Sequence, residues 1–219
     1  MLVVISSASD PSFYPWFKSA QICDVIALAA SAGGFEAFAQ LLSGLPHDFT
    51  VPIIALLHRG KRSPERDGLV EFLSRRSRLR VTQAMPGQKL AAATVYVAPP
   101  ACDLRLCAGR FQMLLPAGRF QPCADTLFES LAQEYGRGCI GVLLSGAMTD
   151  GVRGVAAIKA RGGTVLVQAP ETAIMPHMPK AAIQTGAVDG IMHPADIADA
   201  LISLTMGRRR ICVSHPAYI

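Results

Sequence analysis

The stretch Val25–Phe38, VIALAASAGGFEAF, opens as an apolar run, breaks at a serine set among small residues, and resumes with a helical pattern. An apolar run of this length, β-branched at its start, reads as a strand buried on both faces, as in parallel sheets. Phe35, Phe38, Ala39 and Leu42 then recur at i, i+3, i+4 and i+7, one face of a helix. Between strand and helix, Ala29-Ala30-Ser31-Ala32-Gly33-Gly34 is a turn stripped of side-chain bulk. Such a turn can cradle a phosphate, present a nucleophile, or simply reverse the backbone. The rest of the chain decides among these.

The alternation continues. VPIIALLH (51–58) reads as a second buried strand, SPERDGLVEFLSRRS (63–77) as a helix opened by Ser-Pro-Glu with Pro64 at its first position, and LRVTQA (79–84) as a strand. Two short alternating runs around Ala108-Gly109 read as an antiparallel hairpin at a sheet edge. ADTLFESLAQEYG (124–136) is helical, CIGVLLSG (139–146) a buried strand, DGVRGVAAIKARGG (150–163) a helix closed by glycine, and TVLVQA (164–169) a strand. MPKAAIQTG, VDGIM and ADIADALISLTMG complete a helix, a short strand and a final helix. Strand–helix–strand units of this length predict an α/β fold: a doubly wound, mostly parallel sheet with helices on both faces and an antiparallel edge hairpin. One domain is expected over 22–206, with tails at 1–21 and 207–219 that carry no interpretable pattern.

Composition narrows the function classes. Of 219 residues, 51% are hydrophobic and 17% charged, which implies a folded globular chain rather than a disordered one. Lys+Arg of 21 against Asp+Glu of 16 leaves +5, without the dense basic stripe and interleaved aromatics of a nucleic-acid binder. Cysteines at 23, 102, 107, 123, 139 and 212 form no CxxC pair and fit a reducing compartment better than a disulfide framework. The first residues lack a secretory signal, and no run approaches the ~20 apolar residues that span a bilayer. A cytoplasmic protein without membrane insertion is expected.

In open parallel sheets, ligands bind outside the carboxyl ends of the strands. Three polar residues are delivered there: Ser31 after the first strand, His58 after the second, and Asp150 after CIGVLLSG. Hydroxyl, imidazole and carboxylate are the inventory of a nucleophile–base–orienter triad. The Ser31 turn resembles a nucleophile elbow with Ala29 in place of the first glycine. The backbone N–H groups of Ala32 and Ala147 are the candidate oxyanion donors. Bland alternatives exist for each residue taken alone. A small-residue turn can be a plain junction, a strand-end histidine a surface residue, and Asp before Gly at a helix start an N-cap. His47, His177, His193 and His215 are competing imidazoles, of which His177 could line a pocket. A phosphate cradle at the Ser31 turn lacks its glycine motifs, since neither GxGxxG nor GxxxxGK[ST] spans it.

On these residues the chain resembles the catalytic domain of CheB-type protein-glutamate methylesterases of bacterial chemotaxis. LAASAGGFEAF is similar to the family's Gly-Ala-Ser-Thr-Gly-Gly turn, with Ser31 as nucleophile, and VPIIALLHRG to the strand ending in the catalytic histidine, His58. FQPCADTLFESLA resembles the Arg-Pro-Ser-Val-Asp segment, and IGVLLSGAMTDGVRGV the Leu-Thr-Gly-Met-Gly-x-Asp-Gly motif, with Asp150 as triad acid. VQAPETAIMPHMPKAAIQTGAVDGIM matches the late segment containing Gly-Met-Pro. The resemblance implies hydrolysis of glutamate γ-methyl esters on chemoreceptor helices, with glutamine deamidation in some members, and no metal or cofactor. It implies as partner a methylated receptor or related signalling protein.

Departures from the pattern set further expectations. Only about 20 residues precede the first strand, so the chain is expected to act without a receiver domain of its own, with a separate receiver chain as a candidate partner. Ala32 stands where the family has Thr, Ala147-Met148 where it has Met-Gly, and Cys123 where it has Ser. The competing expectation is a catalytically weak relative that binds receptor or signalling proteins as an interaction module.

Overall fold

A computed structural model of the chain describes residues 23–58, 68–100, 102–115 and 122–206. Val25–Ala30 form β1, with every side chain buried, and the chain turns directly into α1 (Gly34–Gly44). Then follow β2 (Ile53–Leu57), α2 (Leu69–Ser74), β3 (Arg80–Gln83) and β4 (Thr94–Val97). After β5 (Asp103–Cys107) and β6 (Arg110–Leu114) come α3 (Ala124–Tyr135), β7 (Cys139–Leu143), α4 (Val152–Ala160), β8 (Thr164–Gln168), α5 (His177–Gln184), β9 (Gly190–Met192) and α6 (Pro194–Met206).

Seven strands make one sheet in the order β3-β4-β2-β1-β7-β8-β9, and every neighbouring pair is parallel. Strand side chains alternate between two cores, as period-2 geometry requires. Ile26, Leu28 and Ala30 pack with α1, α2 and α6, through residues such as Phe38, Leu73 and Leu201. Val25, Ala27 and Ala29 pack with α3, α4 and α5, through Phe128, Val155 and Met178. Helices therefore cover both faces, as the apolar runs predict.

The hairpin forms around Ala108-Gly109 as expected, antiparallel, with Ala108 and Gly109 both at positive φ (51° and 69°). That pairing of angles matches the twist of a two-residue hairpin turn. Its position is different from the expected one. β5 and β6 form a separate two-stranded sheet and bury Leu104, Leu106 and Phe111 in the α3 side of the core. Their alternating pattern leaves one face apolar, and that face packs on α3 and, through Phe111, on the Tyr96 ring of β4 at 5.0 Å, without the hairpin joining the parallel sheet. The expected helix start at Ser63-Pro64-Glu65 and both tails lie outside the described residues. Among the described residues, no helix is long and apolar enough to cross a membrane.

Candidate functional site

β1 lies where the strand order reverses. The chain steps from β1 to β2 on one side and later places β7 on the other, so the crevice beyond the β1 carboxyl end is the topological switch point. The register pairs Ala30 with Leu57, which puts Ser31 and His58 at the ends of adjoining strands, themselves spaced about 4.8 Å apart. The His58 N–H donates to the Ala30 carbonyl at 2.9 Å. On the opposite side, the Ser31 N–H donates to the Ser145 carbonyl at 2.8 Å, tying the Ser31 turn to the segment after β7. Ser31 is half-buried.

Asp150, on the loop between β7 and α4, meets His58: Nε2 and Oδ2 are 2.6 Å apart, with the side chains 9% and 1% exposed. The same carboxylate accepts hydrogen bonds from the Ala124 N–H at 2.5 Å, the Asp125 N–H at 3.0 Å and the Cys123 thiol at 3.3 Å. Asp150 thus caps the N-terminus of α3, where the helix dipole favours negative charge. Locally Asp150 accepts from the Gly151 N–H at 3.0 Å, but the N-cap of α4 that an Asp-Gly sequence suggests does not form, because Gly151 occupies that position with no side-chain bond. Burial, the largest influence, pushes the Asp150 carboxyl upward. The hydrogen bonds from His58, Ala124 and Asp125 and the His58 charge outweigh it, so the group lies below the ordinary aspartate value.

Asp125 returns the arrangement. Its carboxylate accepts from the Gly154 N–H at 2.8 Å and from Arg153 Nε at 3.0 Å, both in the first turn of α4. The two helices flanking the acid therefore exchange carboxylates at their N-termini.

Ser145 braces the turn from below. Its buried hydroxyl donates to the Ala32 carbonyl at 2.7 Å and accepts from the Met175 N–H at 3.0 Å, while its own N–H donates to Gln168 Oε1 at 2.8 Å. Gly33 is required beside it. It sits at φ 82°, and a Cβ there would lie 2.7 Å from Ser145 Oγ and 2.8 Å from Ile174 Cβ. Gly146 is equally confined, since a Cβ would meet Met178 Sδ at 1.9 Å and Ser31 Cβ at 3.0 Å.

The site thus brings Ser31, His58 and Asp150 to one sheet edge, with Ala32 on the first turn and Ala147, half-buried, on the turn after β7. The competing histidines lie elsewhere in role or place. His47 is exposed in the turn after α1, His177 is the exposed first residue of α5, and His193 accepts the Ala195 N–H on Nδ1 at the start of α6. His215 lies outside the described residues. Among the described residues, no group of three or more His, Cys, Asp or Glu is placed to hold a metal ion. Sequence reasoning missed Ser145 and Gln168, whose one signal is a polar residue closing an otherwise apolar strand. It also missed that Cys123–Asp125 hold Asp150, although the resemblance marks the segment containing them, FQPCADTLFESLA.

A family model described as CheB methylesterase matches residues 26–201. The protein-glutamate methylesterase/protein-glutamine glutaminase 2 of Anaeromyxobacter dehalogenans is 39% identical over 184 residues, 83% of this chain and 53% of that protein. The protein-glutamate methylesterase FrzG of Myxococcus xanthus is 36% identical, over 81% of this chain and 54% of its own. The chain thus spans about half the length of these curated relatives. It spans 94% of a putative protein-glutamate methylesterase/protein-glutamine glutaminase of Leptospira interrogans, at 34% identity over 83% of this chain. The crystal structure of the Thermotoga maritima CheB methylesterase catalytic domain superposes with a TM-score of 0.78 at 27% identity, covering 83% of this chain and 98% of that one.

Proposed function

The chain belongs to the CheB methylesterase family, and from that premise we propose that it hydrolyses glutamate γ-methyl esters on chemoreceptor-type proteins in the cytoplasm through Ser31, His58 and Asp150. The observation that carries this reading is the 2.6 Å contact of His58 Nε2 with Asp150 Oδ2 beside the strand end that bears Ser31.

The steps follow from the donor and acceptor roles. Asp150 is ionised at neutral pH and can only accept, so His58 carries its proton on Nε2 and its basic lone pair on Nδ1. Ser31 Oγ attacks the ester carbonyl as its proton passes to Nδ1. Asp150 stabilises the resulting imidazolium, and the Ala32 and Ala147 N–H groups stabilise the oxyanion. The C–O bond to methoxide breaks as His58 returns the proton, releasing methanol and leaving an acyl-enzyme. Water then gives a proton to His58 and attacks the acyl carbon. The Ser31 Oγ–C bond breaks as His58 returns that proton to Oγ, freeing the glutamate carboxylic acid, which ionises, and restoring Ser31. The same sequence on a glutamine amide releases ammonia. Regulation by a separate receiver chain is part of this reading, as is a methylated receptor as partner.

The test is methanol release from methylated receptor with Ser31→Ala as control. The variant should lose roughly 10³-fold or more in kcat while unfolding at the wild-type temperature. Full activity in that variant overturns the mechanism.

A further inference from the structure

Among the described residues, the large apolar side chains left exposed are Phe35, Met85, Leu115, Met148 and Ile174. Three of them belong to segments that meet at Ser31. Phe35 stands in the first turn of α1, four positions after it. Ile174 lies against Gly33, and Met148 is on the turn after β7. Exposed apolar groups clustered at one place mark a contact surface rather than the scatter found on any protein.

On the α1 side this surface continues in a defined way. The Phe35 ring meets Phe72 of α2 edge-on, with centroids 5.1 Å apart at 72°. The Arg76 guanidinium lies 3.9 Å from the Phe72 ring centroid. Arg76 is followed by Arg78 and Arg80 and preceded by Arg75, all exposed. Glu71, the one acid within α2, is bonded to Arg75 at 2.5 Å. A ladder of aromatic, aromatic and cation therefore runs from beside the nucleophile into a positive patch. Arginine and aromatic residues are the side chains that most often dominate protein interfaces.

We propose that this strip, Phe35–Phe72–Arg76, docks the acidic, glutamate-bearing helix of the protein substrate; the proposal rests on the esterase reading above. The charge is complementary, because a helix that offers esterified glutamates to Ser31 also carries free ones. An unesterified glutamate further along the same helix meets the Arg76 patch while the helix's apolar flank covers Phe35 and Phe72. A small ester uses none of these contacts.

The experiment uses an intact cytoplasmic fragment of a methylated chemoreceptor and two independent readouts. Its binding to Ser31→Ala protein, which cannot turn it over, should weaken about tenfold on adding Arg76→Glu or Phe72→Ala, and more steeply at low salt for the arginine change. Arg161→Glu, an exposed arginine at the far end of α4, should leave affinity unchanged. In otherwise wild-type protein, Arg76→Glu should raise KM for the fragment about tenfold, with p-nitrophenyl acetate hydrolysis within twofold of wild type. Unaltered binding in Arg76→Glu, an equal loss in Arg161→Glu, or no binding by the parent protein overturns the proposal. So does a monomer–dimer shift caused by Arg76→Glu at unchanged fragment affinity, which would assign the strip to a second copy. Arg76-sensitive binding without methanol release in wild type supports the docking strip and overturns the esterase reading instead.

Discussion

Asp150 and Asp125 each cap the helix that the other one introduces. Asp150 precedes α4 yet accepts from the first N–H groups of α3, and Asp125 lies in α3 yet accepts from Gly154 and Arg153 of α4. The catalytic acid proposed here is therefore also part of the fold's structural bonding, and the two roles separate by mutation. Asp125→Ala should cost about 1–2 kcal/mol in urea unfolding, the usual loss of a helix cap, with a smaller effect on kcat. Asp150→Asn should lower kcat about 10³–10⁴-fold. Equal kinetic losses in the two variants would mean that Asp125 acts on the chemistry as well.

The pH dependence of stability follows from the lowered Asp150 carboxyl. Its folded value is below the unfolded one of about 3.9, so its contribution is fully present above that value and is lost as pH falls through the folded value. Wild type should accordingly lose stability below about pH 4 more steeply than Asp150→Asn. Urea midpoints taken from neutral pH to pH 2 provide the check. A wild-type advantage that persists undiminished in acid would contradict the assignment.

Ser145 offers a prediction about the Ser31 turn. Ser145→Ala removes the hydroxyl between the Ala32 carbonyl and the Met175 N–H, losing two part-buried hydrogen bonds at a cost of about 1 kcal/mol. The same change frees the turn that aims Ser31, so kcat should fall about tenfold while KM stays close to wild type. Ser145→Thr keeps the hydroxyl and should restore most of both. Steady-state kinetics beside thermal unfolding separate this from a purely structural defect, which would leave kcat intact.

Cysteine reactivity gives a chemical readout. Burial pushes the Cys23 thiol up to about 12 and raises those of Cys123, Cys139 and Cys102 as well, whereas Cys107 is exposed at the end of β5. Among these five, iodoacetamide at pH 8 should label Cys107 first, as read by peptide mass spectrometry. Activity should survive that labelling and fall only with modification of Cys123, whose S–H then no longer donates to Asp150. Inactivation in step with Cys107 labelling would place an unrecognised function on the hairpin.

What the sequence made legible, and what it did not, has a physical pattern. β1, β2, β7 and β8 are apolar on both faces, a signature only burial within a parallel sheet explains, so their ends and the residues Ser31 and His58 could be located in advance. Asp150 could be located too, but not its partners. Asp-Gly before a helix has a cheap local use as an N-cap, and nothing in the neighbouring residues says that the carboxylate turns to α3 instead. Ser145 and Gln168 were hidden because a single polar residue at the close of an apolar strand looks like its boundary. The hairpin turn was readable from Ala108-Gly109, yet its partner was not, since one apolar face packs equally well on a sheet edge or on helices.

The central place of β1 bears on how the chain is made. His58 is 92 positions from Asp150, and Ala32 is 113 positions from the Ser145 hydroxyl that holds it. At ribosomal rates of about 5–20 residues per second, Ala32 waits roughly 6–23 s for that hydroxyl. Over that interval the β7-facing edge of β1, wholly apolar in its side chains, has unpaired backbone groups. The strand that leads into Ser31 is thus open to mispairing during synthesis, and chaperone demand should be set by how soon β7 emerges.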